Sequence, residues 1–507
     1  MPSTIAQSIN NKVFPDATVA AINEAVQKGH NAFLLYRNFS GVAKANFLEA
    51  IADGIEYERS VLLTTAMKET FLAEARLNGE ITRTINQIKL FADLLKKGSW
   101  VNAIIDEAQP ERKPLPKPDI RQMQKPIGVV TVFGASNFPF AFSTAGGDTI
   151  SALASGCAVV YKAHPAHPQL SEQVAKIIIE AAQKINMPAG IFSMIHAAAI
   201  EPALELVQHP LIKAIAFTGS FKAGRSIYDA AAKREEPIPV YAEMGSINPV
   251  FILPEILQHR GDEIAKSLAA SNLLSTGQFC TNPGIIIANE STDRENFQNV
   301  FLASIVNANG ETMLTDSILN SYNQHTKKLA ASDEVKLLGK GNKMGKQNTA
   351  EPCMFSVSAD AFISNHELHE EVFGPASLHV TAMNKDDMMK IAASLKGQLT
   401  ITIWGTENDI TEYNELINYL ELKAGRIIIN GVPTGVEVTH AMMHGGPYPA
   451  TTDSKFTSVG TTSIYRFTRP VCYQNFDNKF LPQELQNENS LNIVRMINGE
   501  YTTNNID

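Results

Sequence analysis

GVVTVFG (128–134) begins a run of short apolar segments that decides the fold of this chain. Amphipathic stretches separate each segment from the next, and this alternation predicts a parallel, doubly wound α/β sheet. The segments are nearly continuous in apolar residues, as expected when helices cover both faces of a sheet. Such sheets bind ligands at the carboxyl ends of their strands. The later segments are AVVYK (158–162), IFSMIH (191–196), KAIAFTG (213–219) and IPVYAEM (238–244).

The residues before this run predict helices and an extended arm. One helix begins after Asp16 and is predicted to end at Gly29, and Ser40 is expected to cap the next one. Residues 108–128 then carry five prolines, which exclude a helix and favour an extended conformation. The polar, asparagine-rich carboxyl terminus is expected to form a tail or an arm.

A second α/β series follows residue 280. Helices are predicted near 291–308, 385–395 and 408–420, between apolar segments that predict a second sheet. A segment rich in Gly, Pro and Thr then covers 432–471, and such segments commonly line active sites. The strand segments are GIIIAN (284–289), SLHVTAM (377–383), LTITIWG (399–405) and AGRIIING (424–431).

Composition and charge narrow the class of protein. The 43 basic and 52 acidic residues give a net charge of −9 without long single-sign blocks, which argues against nucleic acid or an anionic membrane as partner. The opening residues lack a basic region followed by an apolar one, and no later apolar run reaches the length of a membrane span. We therefore expect a cytoplasmic enzyme with a small-molecule substrate.

One of the four cysteines stands apart from the others. The four are widely spaced and form no C-x-x-C pair, so neither a zinc site nor a disulfide framework is predicted. His164 and His167 lack clustered carboxylates or cysteines and are interpreted as loop histidines, so no metal is expected. Cys280 lies in STGQFCTNPG (275–284), a polar turn that makes a thiol accessible to substrate.

Two polar residues follow predicted strand ends. Glu243 in YAEMGSINP (241–249) lies 280 − 243 = 37 residues before Cys280 and is a candidate base that activates water against a thioester. The alternative is a solvated surface glutamate. Asn137 in GASNFP (134–139) is a candidate donor to an oxyanion, and an Asx turn or a helix cap is the alternative.

A phosphate-binding turn is the candidate cofactor motif. The first strand-to-helix turn lacks G-x-G-x-x-G, but FTGSFKAG (217–224) also joins a strand to a helix. Its Gly219, Ser220 and Gly224 offer backbone N–H groups and a hydroxyl to a pyrophosphate. Lys162, at a strand end, is a candidate for ribose hydroxyls or a 2′-phosphate; a plain glycine turn and a solvated lysine are the alternatives.

Taken together, these motifs resemble the aldehyde dehydrogenase superfamily along nearly the whole chain. Each motif is weak alone, but their order and spacing make the joint match specific. The resemblance implies a Rossmann-like cofactor domain, an α/β catalytic domain and a small oligomerisation arm. The matching motifs are SNFP (136–139), Lys162, FTGS (217–220), Glu243 before MGS (244–246), GQFCTNPG (277–284) and EEVFGP (370–375).

By this resemblance, residues 1–97 and 127–245 form the dinucleotide-binding domain and residues 246–471 form the catalytic domain. Residues 98–126 and 472–507 form the arm and the carboxyl-terminal segment. A homodimer or a homotetramer is expected.

The resemblance also implies roles for single residues. Cys280 is the nucleophile that adds to the aldehyde, Asn137 donates to the oxyanion, and Glu243 activates the water that hydrolyses the thioester. A free acid is then the product. The implied cofactor contacts are Glu371 and Phe373 to the nicotinamide ribose, Lys162 to the adenosine ribose, and Ser220 to the pyrophosphate.

Longer motifs narrow the resemblance to one branch. GASNFPFAFSTAGGDT (134–149), KAHPAHP (162–168) and the segment 435–461 are similar to NADP-preferring 2,5-dioxopentanoate dehydrogenases and a bacterial fatty aldehyde dehydrogenase. Pro165 replaces a glutamate of NAD-selective relatives, which removes a charge that would repel a 2′-phosphate. Ile200 replaces an arginine that assists this phosphate in the fatty aldehyde relative. NADP is therefore the expected cofactor, and NAD remains possible.

The expected reaction converts 2,5-dioxopentanoate to 2-oxoglutarate through a cysteine thiohemiacetal and a thioester. Phe279 replaces an arginine of some semialdehyde dehydrogenases, so oxidation of fatty or aliphatic aldehydes is an alternative. Phe142, Phe279 and Thr281 are the expected pocket residues, with Phe138 close by. A non-redox cysteine acyl-transfer enzyme is the alternative of another class. The candidates for binding a substrate carboxylate are Arg121, Arg426 and Arg466.

Overall fold

Helices and strands alternate along most of the chain, as the apolar patterns predict. The computed structural model describes residues 13–345 and 348–506. Ser40 caps the second helix, as predicted, by accepting a hydrogen bond from the Ala43 N–H. The α-helices are α1 (Val19–Tyr36), α2 (Gly41–Tyr57), α3 (Arg59–Thr70), α4 (Glu74–Lys97), α5 (Gly147–Ser155), α6 (Pro168–Lys184), α7 (Ile200–Gln208), α8 (Phe221–Ala232), α9 (Pro254–Leu273), α10 (Thr292–Asn307), α11 (Asp316–Ala330), α12 (Ala359–Ser364), α13 (Lys385–Ser394), α14 (Glu407–Glu412) and α15 (Asn414–Leu420).

The prediction that the first helix ends at Gly29 is wrong. Gly29 lies inside α1, where a Cβ would approach Cγ1 of Val129 to 3.4 Å. That distance is an ordinary van der Waals contact, and the helix continues through Gly29 because the residues after it, Ala32, Phe33 and Tyr36, are buried. Tertiary packing therefore outweighs the local signal.

Three main sheets contain most of the strands. The strands are β1 (Ile104–Asp106), β2 (Ile120–Pro126), β3 (Val129–Phe133), β4 (Ala158–Ala163), β5 (Phe192–His196), β6 (Ile212–Thr218), β7 (Val240–Glu243), β8 (Val250–Ile252), β9 (Ile285–Asn289), β10 (Glu311–Thr312), β11 (Lys336–Lys340), β12 (Thr349–Ala350), β13 (Cys353–Ser358), β14 (Ala376–Ala382), β15 (Gln398–Trp404), β16 (Ala424–Ile429), β17 (Thr468–Gln474), β18 (Arg495–Ile497) and β19 (Glu500–Thr502).

The first sheet has the predicted parallel, doubly wound order. Its five strands lie in the order β5-β4-β3-β6-β7, and β3 is buried along its whole length. Phe133 at the end of β3 lies opposite Lys162 of β4, and Thr218 at the end of β6 lies opposite Glu243 of β7. The chain order reverses on either side of β3, which is the topology that creates a ligand-binding crevice at the carboxyl ends.

The second sheet lies in the carboxyl-terminal half of the chain, as predicted. Its order is β11-β13-β14-β9-β8-β15-β16, and every neighbouring pair except β11 with β13 is parallel. The helix predicted near 408–420 is divided into α14 and α15 at Tyr413, whose φ and ψ of −94° and 18° are not helical. The predicted helices near 291–308 and 385–395 correspond to α10 and α13.

The third sheet joins the proline-rich segment to the carboxyl terminus. Its order is β17-β2-β1-β18-β19, so the predicted arm is extended and paired rather than isolated. The boundaries at 1–97, 98–126, 246–471 and 472–507 stay predictions. Residues 1–12, on which the predicted absence of a targeting segment depends, lie outside the described residues. Among the described helices, none combines the length and the apolar character required to cross a bilayer.

Candidate active site

The loop that carries Cys280 has an unusual backbone conformation. Ser275, Thr276 and Gly277 have φ angles of 50°, 61° and 64°. This left-handed region costs residues with a side chain about 1–2 kcal/mol each. A Cβ at Gly277 would lie 2.3 Å from the carbonyl carbon of Gly374, so only glycine fits there. Strain of this kind persists where the surrounding structure enforces it, and it is concentrated at functional sites.

Asn248 ties the nucleophile loop to the second sheet. Its Nδ2 donates hydrogen bonds to the carbonyl oxygens of Cys280 and Asn282, both at 2.9 Å. Its Oδ1 accepts a hydrogen bond from Oγ1 of Thr400 at 3.0 Å. Because Asn248 is itself buried, these bonds form away from competing water. The position of the half-buried Cys280 is thereby fixed.

Cys280, Glu243 and His444 bring their reactive atoms together. Sγ of Cys280 lies 3.4 Å from Nε2 of His444, and the same Nε2 lies 3.2 Å from Oε1 of Glu243. The second carboxylate oxygen of Glu243 accepts a hydrogen bond from Oγ of Ser458 at 2.9 Å. A thiol, an imidazole and a carboxylate at these distances can exchange protons.

The glycine- and threonine-rich segment places His444 in this group. Glu243, the last residue of β7, forms an antiparallel bridge with Thr451, and the Met244 N–H donates to the Ala450 carbonyl at 2.8 Å. The segment therefore extends the first sheet beyond β7. His444 and Ser458 lie on either side of this bridge in the chain and both contact Glu243.

Burial and neighbouring charges set the protonation of the site. Burial raises the pKa of the Cys280 thiol well above its usual range, the Glu243 and Glu371 carboxylates add to the rise, and Arg426 opposes it. Burial alone would raise the pKa of Glu243, but the His444 ring and hydrogen bonds outweigh it, so the net pKa is lowered. In the free protein at neutral pH, Cys280 is therefore a thiol and Glu243 a carboxylate.

Asn137 lies beside the nucleophile loop, as predicted. It is buried, and its Nδ2 donates a hydrogen bond to the carbonyl oxygen of Gln278 at 3.1 Å. The carbonyl oxygen of Asn137 accepts a bond from Nη2 of Arg76 at 2.6 Å. A side-chain amide carries two N–H hydrogens, so Asn137 keeps a second donor for a reacting oxygen near Cys280.

The predicted phosphate-binding turn lies at the carboxyl edge of the first sheet. Ser220 caps α8 by accepting a bond from the Ala223 N–H at 3.3 Å. The prediction that Gly219 and Gly224 offer N–H groups is wrong, because their N–H groups donate to the carbonyl oxygens of Glu243 and Ser220, both at 3.0 Å. Within the described residues, the N–H groups left for a ligand are those of Phe221 and Lys222, which are exposed in the first turn of α8. Gly224 packs against Met244, where a Cβ would approach Cγ to 2.6 Å.

Lys162 lies at the same edge of the sheet. Burial lowers its pKa to about 8, and the Asp16 carboxylate opposes this shift. Asp16 is held by the backbone N–H groups of Ala198 and Ala199, at 2.6 and 3.1 Å. Pro165 is half-buried in the loop that follows Lys162. Because it is a proline, this position presents no carboxylate.

Glu371 and Phe373 lie near the loop that carries Cys280. Both line one pocket with Phe279. Burial raises the pKa of Glu371 to about 8, the Ser246 backbone opposes the rise, and the Glu243 carboxylate adds to it. Their proposed contacts to a nicotinamide ribose stay predictions.

Three phenylalanine rings pack against one another and against the His444 ring, which contacts the thiol. Phe138 lies 5.4 Å from Phe142 and 5.2 Å from Phe279 between ring centroids. Phe142 lies 6.0 Å from the His444 ring. Thr281 is buried directly after the nucleophile. The three rings thus lie together and reach the His444 ring, and their role in binding substrate stays a prediction.

His444 is the site residue that sequence reasoning missed. The motif HGGPYP (444–449) was visible as part of a long loop, but no function was assigned to its histidine. Its position in a Gly- and Pro-rich segment was the available signal. The sequence could not show that it meets Cys280, which lies 164 residues earlier.

His164 and His167, which were considered as metal ligands, make contacts within the fold instead. His167 is fully buried at the start of α6, with its Nε2 3.0 Å from the Ala135 carbonyl and its Nδ1 3.3 Å from Oγ of Ser171. The His164 ring stacks on it at 5.7 Å. Within residues 13–345 and 348–506, the group with donor spacing suited to a metal is Glu243, Cys280 and His444. The absence of a resident metal stays a prediction.

Comparisons with known sequences agree with the predicted family. Residues 6–457 match the model of the aldehyde dehydrogenase family. An alpha-ketoglutaric semialdehyde dehydrogenase of Acinetobacter baylyi is 44% identical over 493 residues, which cover 97% of this chain and 93% of the relative. Alpha-ketoglutaric semialdehyde dehydrogenase 2 of Azospirillum brasilense is 44% identical over 494 residues, covering 97% and 94%.

Solved structures share the fold. Apo betaine aldehyde dehydrogenase of Staphylococcus aureus superposes with a TM-score of 0.77 at 18% identity, covering 93% of each chain. A 3,6-anhydro-L-galactose dehydrogenase in complex with NAP gives a TM-score of 0.77 at 20% identity, covering 92% of this chain and 94% of that one. The predicted fold is thereby confirmed. This chain therefore belongs to the aldehyde dehydrogenase family, and it is an NAD(P)-dependent oxidoreductase that acts on small aldehydes.

Proposed function

We propose that this enzyme oxidises 2,5-dioxopentanoate to 2-oxoglutarate, with NADP as the preferred cofactor and NAD accepted. The observation that carries the chemistry is the convergence of Cys280, Glu243 and His444 within 4.8 Å at the carboxyl edge of the first sheet. The substrate is proposed because two relatives that cover nearly the whole chain bear the name of this activity. The family assignment sets aside the non-redox acyl-transfer alternative.

The first step joins the substrate to the protein. Sγ of Cys280 adds to the aldehyde carbon while the thiol proton passes to the Glu243–His444 pair, whose Nε2 lies 3.4 Å from the sulfur and 3.2 Å from Oε1 of Glu243. The aldehyde oxygen then carries the negative charge of a thiohemiacetal. In this proposal, Asn137 and the Cys280 backbone N–H donate hydrogen bonds to this oxygen. One such donor contributes about 3–4 kcal/mol in acyl-transfer enzymes.

The residues of the first sheet fit a dinucleotide cofactor. The exposed first turn of α8 offers free N–H groups to a pyrophosphate, and Lys162 offers a cation to a ribose or a 2′-phosphate. When bound, NAD(P) accepts the hydride that the aldehyde carbon loses. Pro165 itself presents no carboxylate to a 2′-phosphate, which supports NADP, and Asp16 is the carboxylate that interacts with Lys162.

The second half of the reaction releases the acid. Glu243 is a carboxylate and accepts a proton from water, whose oxygen then adds to the thioester carbon. The carbon–sulfur bond breaks, the carboxylic acid leaves, the sulfur regains one proton from the Glu243–His444 pair, and the pair releases the other proton to solvent. Ser458 keeps the Glu243 carboxylate oriented by donating to its second oxygen.

His444→Gln is expected to lower kcat/KM by about 10²-fold, because the thiol loses its nearest base. The measurement is the rate of Cys280 alkylation by iodoacetamide between pH 6 and pH 9, together with steady-state turnover. Alkylation at neutral pH should slow by a similar factor. His440→Gln, which changes a histidine of the same segment that contacts Thr461, is the matched control. An unaltered alkylation profile in His444→Gln would contradict the assigned role.

A substrate panel tests the proposed function. We expect a kcat/KM at least about tenfold higher for 2,5-dioxopentanoate than for hexanal, because a site built for a carboxylate discriminates against an analogue that lacks it. Each aldehyde is measured with NADP and with NAD. The three phenylalanine rings support oxidation of aliphatic aldehydes as the second candidate, and a higher kcat/KM for hexanal would favour it.

A further inference from the structure

Arg83 reaches the active site from α4. Its guanidinium lies over the Phe142 ring, 5.4 Å from the centroid, and that ring lies 6.0 Å from the His444 ring. Its charge interacts with the Cys280 thiol. Arg83 is therefore a cation at the border of the proposed substrate pocket.

Arg426 reaches the same region from β16. Its Nη2 and Nη1 donate to the carbonyl oxygens of Pro433 and Gly435, at 2.8 and 3.2 Å. Arg83 donates through Nε and Nη2 to the carbonyl oxygen of Val436, at 3.4 and 3.3 Å. The two guanidinium groups thus hold one short loop from two directions. Arg426 also opposes the rise in the pKa of the Cys280 thiol.

Each guanidinium keeps a donor without a partner. Nη1 of Arg83 and Nε of Arg426 are buried and make no hydrogen bond within the described part of the chain. Neither side chain forms an ion pair there. Both side chains are half-buried and bond to backbone carbonyl oxygens, so what they lack is an opposite charge and a partner for one N–H each. An anionic group bound to the guanidinium relieves this cost.

The nearby carboxylates do not supply this anion. Glu80 on α4 interacts with the charge of Arg83, but its Oε1 accepts bonds from the backbone N–H groups of Phe140 and Ala141 at 2.8 and 3.0 Å. Glu437 also interacts with Arg83 and is exposed to solvent. Glu80 and Glu437 thus weaken the positive potential around Arg83, but neither accepts a hydrogen bond from its Nη1.

Arg76 adds a third cation at the border of the proposed substrate pocket, because it lies over the Phe138 and Phe279 rings at 5.1 and 5.0 Å and its Nη1 has no partner within the described residues. The two remaining arginines that the sequence offers as carboxylate ligands are engaged elsewhere. Arg121 binds Asp119 at 2.9 Å and the Leu485 carbonyl in the third sheet. Arg466 forms a buried ion pair with Asp148 at 2.6 Å. Neither is available to a substrate.

We propose that Arg83, together with Arg426, binds the carboxylate at the end of the substrate opposite to the aldehyde. This inference rests on the proposed function and extends it, because it identifies the ligand class as aldehydes with a terminal carboxylate. The carboxylate binds the two guanidinium groups while the aldehyde carbon lies at Cys280. The phenylalanine rings enclose the carbon chain between them.

The test compares glutaric semialdehyde with pentanal, which has the same chain length and no carboxylate. In Arg83→Met, the ratio of the two kcat/KM values should fall by about 30-fold or more, mainly through a higher KM for the semialdehyde. Arg83→Lys keeps the cation and should recover part of the ratio. Arg260→Met, which changes an exposed arginine paired with Glu263, is the matched control.

Inhibition by glutarate separates this proposal from the choice of physiological substrate. Glutarate should compete with pentanal in the unaltered enzyme, and its inhibition constant should rise in Arg83→Met and in Arg426→Met. If 2,5-dioxopentanoate proves a poor substrate but glutarate still competes through Arg83, only the proposed function fails. An equal loss on both aldehydes, or an inhibition constant that Arg83→Met leaves unchanged, overturns the carboxylate site.

Discussion

Replacing Cys280 with alanine is expected to abolish aldehyde oxidation, with a fall in kcat of about 10⁴-fold or more. Cys280 is the thiol that contacts His444, and the covalent intermediate cannot form without it. The measurement is NADPH formation with saturating aldehyde, together with mass spectrometry of a trapped acyl-enzyme. The acylated species should be absent from the variant.

Cys472→Ala is the matched control, because Cys472 is exposed on β17 in the third sheet. It should leave turnover unchanged. Cys157 and Cys353 are buried and do not face the site group. Substantial turnover in a folded Cys280→Ala protein would exclude the covalent mechanism.

Replacing Glu243 with glutamine is expected to stop the reaction after one turnover. Glutamine keeps the shape of the side chain but cannot accept a proton from water, so thioester hydrolysis should slow by about 10²–10⁴-fold. Rapid mixing should show a burst of one NADPH per active site, followed by a slow phase. Glu236→Gln, which changes an exposed partner of Lys213, is the matched control.

The same variant should also alter the pH dependence of the thiol. The Glu243 carboxylate raises the pKa of Cys280, so its removal lowers that pKa. The pH midpoint for alkylation of Cys280 by iodoacetamide should therefore move to lower pH in Glu243→Gln. A midpoint that moves upward, or the absence of a burst, would show that Glu243 acts in another way.

The first sheet was predictable because its strands are apolar over nearly their full length. β3 illustrates this, since all five of its residues are buried. Apolar runs of this kind have few other stable folds. Gly29 shows the limit of local signals. The helix continues through it because Ala32, Phe33 and Tyr36 are buried against the rest of the fold, which is visible only after folding.

The site was predictable where a residue follows a strand of the parallel sheet. Asn137 and Glu243 met this condition, and Cys280 was marked by its polar turn. His444 and Arg83 were not predictable from local pattern, because one lies in a long loop and the other on an amphipathic helix. Their importance comes from contacts across the fold, with Cys280 and with Phe142.

The bridge between Glu243 and Thr451 has a consequence for the timing of biosynthesis. A chain made from its amino terminus contains Asn137, Glu243 and Cys280 long before His444 and Ser458 exist. Domains generally fold in the order of synthesis, so the first sheet can form while the ribosome is still extending the chain. The thiol gains its base only after the late segment has paired with β7, and until then the nascent enzyme holds an unactivated cysteine.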